Sequence, residues 1–402
     1  MSNKNISRGR HSNNKSSVIK IIIFTFISVL VVVISFTALF IILYKPSIGS
    51  NIPSGPNSNN PVIDKANTGD TPVFDPPENS NESRKKNFYT FLVMGRDTVG
   101  LNTDIIMLLS FDIDNGTINI LQIPRDTYMV VNSYPHKINS VYALMYNKAY
   151  KNNDKDIEDA AMNSFASLLE QNLSIEIDYY ALCNLKGFRN IIEILGGVKM
   201  DIPYNMNYND PEQNLYINLK KGIQTLDGNK AEQFIRYRSG YVEGDIGRID
   251  AQKLFLSALI QQLKSNMTVS KITGIAEEAI DNIKTSMTFA EIVYFVKEFY
   301  LIDNTDMNFI TFPGESARSE ITSGAWYYVM RRADLHALMN LYFNVFNTEI
   351  NDAQFDGKRV FTNAKKPHIN DIYNTGLSEN LQELIRTAEE INKEGIDISL
   401  IN

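Results

Sequence analysis

The sequence predicts an α/β domain with helices laid over a central β-sheet, carried behind one N-terminal transmembrane helix. Three observations carry this. Short apolar runs separated by turn residues read as strands, longer amphipathic stretches between them read as helices, and one uncharged apolar run precedes them all.

The chain opens with a basic segment. Residues 1–20 hold Lys4, Arg8, Arg10, Lys15 and Lys20 and no acid, a charge of +5. The whole chain carries −7, which leaves −12 on the remainder. Ile21 to Tyr44 then contains no charged residue. As a helix it would be roughly 36 Å long, enough to cross a hydrocarbon core of ~30 Å. A cleavable signal peptide would have a shorter apolar region and a small-residue cleavage site. Tyr44 and Lys45 instead close the run as interface anchors, so an uncleaved anchor is expected. The positive-inside rule puts residues 1–20 in the cytoplasm and everything beyond Lys45 outside. Residues 45–83 read as a disordered tether, because seven of the 13 prolines fall between Pro46 and Pro77 among Asn, Ser, Gly and Asp.

The folded domain is expected over 84–347. "FYTFLVMG" (88–95), "DIIMLLSF" (104–111) and "GTINILQI" (116–123) are strand runs, with Asp114–Gly116 as a hairpin turn. Helices are expected at 138–150 and 157–171, a strand at 175–183, and a helix at 185–195 closed by Gly196-Gly197. Later helices follow at 249–265, at 288–300 with a Thr288/Glu291 capping box, and at 331–346. Residues 348–402 form a tail with one expected helix at 380–393.

Composition excludes several classes. An acidic bulk does not suit non-specific nucleic-acid binding. Cys183 is the only cysteine, so no intrachain disulfide forms. The four histidines have no helical or hairpin metal spacing, and no GxSxG elbow is present.

Three groups of residues could carry chemistry. Asp97 and Asp104 flank the turn between the first two strands, where two carboxylates suit a hard cation such as Mg²⁺ or equally a solvated turn. Arg125 and Asp126 leave a strand together, either as ligand-facing groups at a strand end or as a structural pair. In "FIRYRSGYVEGDIGRIDAQ" (234–252), an extended 234–238 would send Arg236 and Arg238 to one side. A helix from 248 would put Arg248 and Gln252 on one face. That set is either an oxyanion cradle or a surface loop paired with Glu243, Asp245 and Asp250. Arginines and carboxylates without a Cys or His nucleophile favour phosphoryl over acyl transfer.

With these residues in view, the chain resembles the LytR-CpsA-Psr family over roughly 88–265, with the segment to about 347 compatible. The matching segments, in the family's order, are "FLVMGRDT", "TDIIMLLSFDIDNGTINILQIPRDTY", "HKINSVYA", "LKGFRNIIEILGGVKMDIP", "LDGNKAEQFIRYRSG" and "GDIGRIDAQKLFL". The resemblance implies a mixed sheet in an α-β-α domain on the outer face of a Gram-positive-type cell membrane. It implies a phosphotransferase that moves a glycopolymer, typically wall teichoic acid or capsular polysaccharide, from an undecaprenyl-pyrophosphate carrier to a peptidoglycan hydroxyl. Carried over residue by residue, Asp97 and Asp104 would hold Mg²⁺ (or Mn²⁺), and Arg125 would stabilise phosphoryl charge, with Asp104 and Arg236 as further catalytic residues. Lys137, Arg236, Arg238, Arg248 and Gln252 would grip the pyrophosphate. The lipid tail would lie between sheet and helices. Two places depart from the family pattern: the loop between the aspartates is short with Asn102-Thr103-Asp104-Ile105 lacking the family's arginine, and Ala251-Gln252 stands for Arg-Gln. Those departures suggest an alternative, a non-catalytic polyprenyl-phosphate-binding or cell-wall scaffold protein. A membrane-tethered transcription regulator does not fit, since about twenty internal residues cannot make a DNA-binding domain.

Overall fold

The computed structural model describes residues 44–46, 84–96, 100–132, 134–211, 215–237, 245–265, 267–301, 306–318, 324–352 and 355, without the side chains of 245–249 and 306. The chain divides into two units, 1–47 and 48–402. In the first, only Tyr44–Pro46 are described, and they form no regular element. Apart from Tyr44–Pro46, the expected membrane helix and tether lie outside the described residues, as does the expected 380–393 helix. Among the described residues no helix is long and apolar enough to cross a membrane.

The second unit begins with three strands, β1 (Phe88–Arg96), β2 (Thr103–Asp112) and β3 (Thr117–Gln122), joined antiparallel in series. The β2–β3 turn closes at Gly116, whose φ of 64° is the left-handed conformation that the Asn-Gly signal anticipates. A small hairpin of β4 (Tyr128–Val131) and β5 (Tyr134–Lys137) leads into α1 (Ile138–Lys151) and α2 (Ile157–Leu173). The chain then returns as β6 (Tyr179–Asn184), parallel to β1.

A helical and hairpin layer follows: α3 (Leu185–Leu195), β7 (Val198–Ile202), β8 (Met206–Asp210), β9 (Leu215–Leu219), β10 (Gly222–Leu226) and α4 (Gly228–Arg236). Then come α5 (Asp245–Ser265), α6 (Val269–Asn282), β11 (Ile283–Thr285) and α7 (Phe289–Leu301). The last described elements are β12 (Asp306–Thr311), the β13 (Gly314–Arg318)–β14 (Trp326–Met330) hairpin and α8 (Arg332–Leu338). A π-helical turn at Met339–Phe343 ends α8, short of the residue 346 expected.

The helix starts follow from their caps. Side chains of Asp156, Asn184, Asp227 and Thr268 each accept a backbone N–H from three residues on. Thr288 and Glu291 cap each other reciprocally, as the sequence implies. Past α3, Gly197 has φ +88° and its backbone lies so close to Thr225 and Leu226 that a Cβ would clash.

The central sheet has six strands in the order β11-β6-β1-β2-β3-β12, with both parallel and antiparallel pairs. Its two faces differ. Leu92, Met94, Ile106 and Leu108 are 0% exposed and pack under α1 and α2 with Val141, Tyr142 and Phe165. At about 1.5–3 kcal/mol per buried side chain, this face supplies a large share of the folding drive. On the other face Phe91 meets Phe295 of α7 edge-on at 5.0 Å, yet Phe91, Val93, Met107 and Leu109 remain only half-buried. A second core joins β7–β10 to α3, α4 and α5 through Val198, Leu226, Phe234 and Phe255.

A buried ionic cluster fixes the start of the domain. Arg84 donates to Glu176 at 2.5 Å and to both oxygens of Asp178 at 2.6 Å, while the Thr90 N–H also donates to Asp178. Nearby, burial foremost, and then the charges of Glu176 and Asp178, push the Glu170 carboxyl up from 4.5 to about 7.

Two outcomes follow from this cluster. Arg84→Met leaves two buried carboxylates without their cation, and is expected to cost about 3–5 kcal/mol in a denaturant titration. Glu170 binds a proton more tightly folded than unfolded, so its contribution to stability declines as pH rises from 4.5 through about 7. Glu170→Gln is therefore expected to raise stability at pH 8 by the order of 2 kcal/mol and to change little at pH 4.5, read from midpoints at the two pH values.

Candidate active site

Strand direction gathers the candidate residues. Because β1, β6, β3 and β12 run one way and β2 runs back, the ends at Arg96, Asn184, Gln122 and Thr311 and the start at Thr103 share one end of the sheet. Ligands of open α/β sheets bind at carboxyl ends of strands beside a change in strand direction or connection.

Arg125 lies just beyond β3 on a tightly fastened turn. The Thr127 N–H and hydroxyl both donate to the Pro124 carbonyl, at 3.0 and 2.6 Å. The Asn139 N–H donates to the Arg125 carbonyl and the Tyr328 N–H to that of Asp126. From this turn the Arg125 Nη1 donates to Asp104 Oδ1 at 3.0 Å, with the two side chains 24% and 34% exposed. Arg125 thus reaches across to the second strand, and its neighbour Asp126 pairs with Lys137 at 2.9 Å. α1 begins at this turn with no acid in its first turn, so its positive dipole end adds to Arg125 and Lys137 as an environment for an anion.

The arginine segment folds differently from the extended reading. Residues 234–236 are the last turn of α4, because the Asp227 cap and the buried, helically spaced Ala231 and Phe234 commit them to a helix. Arg236 therefore projects from a helix end, donating to Glu232 one turn back at 2.9 Å, and Glu232 also accepts from Arg189. Arg238 and Asp97 lie outside the described residues. Arg248 stands on the first turn of α5, whose helix starts earlier than expected, and its side chain is not described. Gln252, one turn on, accepts from Gln122 at 2.5 Å, and Lys253 donates to Thr311 at 3.2 Å. These bonds fasten α5 to the ends of β3 and β12, so Gln252 reaches the same end of the sheet as Arg125.

Gln122, Lys253 and Arg96, which pairs with Glu158 at 2.6 Å, were not singled out from sequence. Gln122 had a signal: a polar residue closing an otherwise apolar strand has to meet a partner when buried. Groups that could compete as nucleophile or cation are muted. Burial pushes the Cys183 thiol up to about 11 and pulls His136 below its usual range, so both are uncharged at neutral pH. Among the described residues no group of three or more His, Cys, Asp or Glu side chains could hold a metal. Asp104 accordingly offers a cation one carboxylate, and any further oxygens must come from elsewhere, which is the habit of Mg²⁺ at phosphate sites.

If the Arg125–Asp104 pair serves ligand binding and not folding, its loss is cheap for stability. Arg125→Ala and Asp104→Ala are each expected to change unfolding free energy by no more than about 1 kcal/mol, the scale of partly exposed pairs. Urea titration of the two variants checks this.

Comparison with known proteins gives a consistent picture. Residues 57–343 match the model of the LytR_cpsA_psr family. The chain is 30% identical over 213 residues to the polyisoprenyl-teichoic acid–peptidoglycan teichoic acid transferase TagV of Bacillus subtilis (strain 168), covering 52% of each protein. The chain thus spans about half the length of that relative. It is 26% identical over 238 residues to the regulatory protein MsrR of Staphylococcus aureus (strain Mu50 / ATCC 700699), covering 58% of this chain and 67% of that one. The crystal structure of protein gbs0355 from Streptococcus agalactiae superposes with a TM-score of 0.52 at 16% identity, over 63% of this chain and 86% of the other, and that likeness is one of fold.

Proposed function

The chain belongs to the LytR_cpsA_psr family, and from that premise we propose that it transfers a glycopolymer from an undecaprenyl-pyrophosphate carrier to peptidoglycan at the outer face of the cell membrane. In this reaction a peptidoglycan hydroxyl attacks the polymer-proximal phosphorus. A new P–O bond forms, the P–O–P bridge breaks, undecaprenyl phosphate leaves, and the hydroxyl proton passes to a carboxylate oxygen or to water.

One observation carries the reading. Arg125 and Asp104 meet at the end of a sheet whose adjoining face is apolar and only half-buried. Arg125 neutralises charge on the phosphoryl oxygens, and its fastened turn means no reorganisation is needed when that charge develops. Lys137 and the start of α1 hold the anion, Gln252 approaches from α5, and Arg236, Arg238 and Arg248 are the further anion-binding residues of this reading. The carrier's tail lies along Phe91, Val93, Ile105, Met107 and Leu109 beneath α5 and α7. Mg²⁺ bound by Asp97 and Asp104 would supply charge neutralisation on the pyrophosphate. TagV's name as a teichoic acid transferase supports the polymer class. The apolar run at 21–44 supports an anchor that keeps the domain beside a membrane-borne donor.

A second reading is a protein that binds the carrier without turnover. It is favoured by Asn102 where the family has arginine and by the hold of Arg125 on Asp104.

With full chain in nanodiscs, a purified lipid-pyrophosphate donor, peptidoglycan and Mg²⁺, Arg125→Ala is expected to lower the transfer rate by about 10²-fold or more while thermal unfolding stays as in the parent. Full activity in that variant overturns the reading, and donor binding by the parent without product under any condition selects the second one. Met107→Trp is expected to raise KM by about tenfold for a long-tailed donor and little for a short-tailed one, because it fills the apolar slot.

A further inference from the structure

Besides the arginine site, the same end of the sheet holds a cavity of about 300 Å³. It is at the small end of the range for small-molecule sites. It is lined by Arg96 of β1, Glu158 of α2, Leu182 and Asn184 of β6, and the α6–β11 junction from Ile280 to Lys284. Arg96 is the register partner of Asn184 on β6 and of Thr103 on β2, and Asp104 follows Thr103 directly. Strands are ~4.8 Å apart, so the cavity opens within about two strand spacings of the Arg125–Asp104 pair.

Its charges say what it does not bind. Arg96 is paired with Glu158 at 2.6 Å, and Lys284 with Asp156 at 2.6 Å and Asp159 at 3.7 Å. Both cations are thus matched, and Asp281 adds a further negative charge at the rim. Within the lining two cations face two carboxylates, so a phosphate would meet no surplus positive side-chain charge here.

What remains is suited to a neutral ligand rich in hydroxyls and amides. A fixed Arg–Glu pair presents N–H donors and a carboxylate acceptor side by side, which matches adjacent sugar hydroxyls. Leu182, Ile280 and Ile283 offer an apolar surface for the C–H face of a ring. We propose that this cavity is a saccharide subsite that seats a sugar unit of the acceptor glycan strand next to the phosphoryl centre. The assignment to the acceptor rests on the transfer reaction proposed above. The acceptor is favoured over the donor polymer because the lining, with Arg96 and Lys284 balanced by Glu158 and Asp281, offers a phosphate-bearing chain no net attraction.

Ile280 is 46% exposed at the rim, so Ile280→Trp fills the cavity without disturbing the core. With full chain in nanodiscs, saturation-transfer NMR using N,N′-diacetylchitobiose as probe is expected to show binding in the parent and loss of it in Ile280→Trp. Inorganic phosphate binding is expected to be the same in both. In the transfer assay Ile280→Trp is expected to raise KM for peptidoglycan by about tenfold or more, with KM for the donor within about twofold. A rise in donor KM instead moves the donor's glycan into the cavity and overturns the acceptor assignment. Chitobiose binding that is absent, or equal in parent and variant, overturns the subsite altogether. Binding that is lost in the variant, in a protein that never transfers, keeps the subsite and removes the transferase reading.

Discussion

The structure depends on the way β1 satisfies its two edges. A buried strand has to pair its backbone N–H and C=O groups on both sides, and β1 does so with β2 antiparallel and β6 parallel. The antiparallel partner needs only a short turn. The parallel one needs a long crossover, which α1 and α2 supply. Their packing over Leu92, Met94, Ile106 and Leu108 closes one face of the sheet. The same pairing brings Arg96, Thr103 and Asn184 side by side, and it leaves Asp104 where the Arg125 turn can reach it. The site is a consequence of strand direction before it is a matter of side chains.

The unequal faces of the sheet carry the second lesson. Leu92, Met94, Ile106 and Leu108 are completely buried toward α1 and α2, while Phe91, Val93, Met107 and Leu109 between them are half-buried on the face where Phe91 meets Phe295 of α7. Apolar side chains at strand positions that stay partly open keep hydrophobic surface exposed, which ordinary packing would remove. An apolar ligand that covers this surface would recover that burial, so the looseness is consistent with a site for a hydrocarbon tail.

Electrostatics divides the end of the sheet into two regions. Around Arg125 the positive groups are Arg125 itself, Lys137 and the start of α1, with Asp104 and Asp126 as paired acids. Around Arg96 the acids outnumber the cations. An acidic domain can hold a diphosphate only where arginines are concentrated, and a neutral sugar only where charges are already matched. The two regions suit the two halves of a group transfer, and they lie next to each other on one scaffold.

Much of the architecture was legible in the residues. Short apolar runs bounded by turn residues marked β1, β2 and β3. Capping residues such as Thr288 with Glu291, and the Gly196-Gly197 stop, marked helix ends through local hydrogen bonding. Arg125 and Asp104 could be named as chemistry-bearing residues, since charge at a strand end needs a partner, but not as partners of each other. That contact joins the turn after β3 to β2 across 21 residues, and strand register is set by the whole sheet. Residues 234–236 are helical where the spacing suggests a strand, because two arginines spaced by one residue suit a strand as readily as a helix end. The burial of Phe234 against Phe255 settled the matter. The pairing of Gln252 with Gln122 spans 130 residues, and the Arg96 cavity draws on five separate elements. Local sequence sets which conformations each segment prefers, whereas convergence of distant side chains is decided only when the packed core fixes the elements against one another.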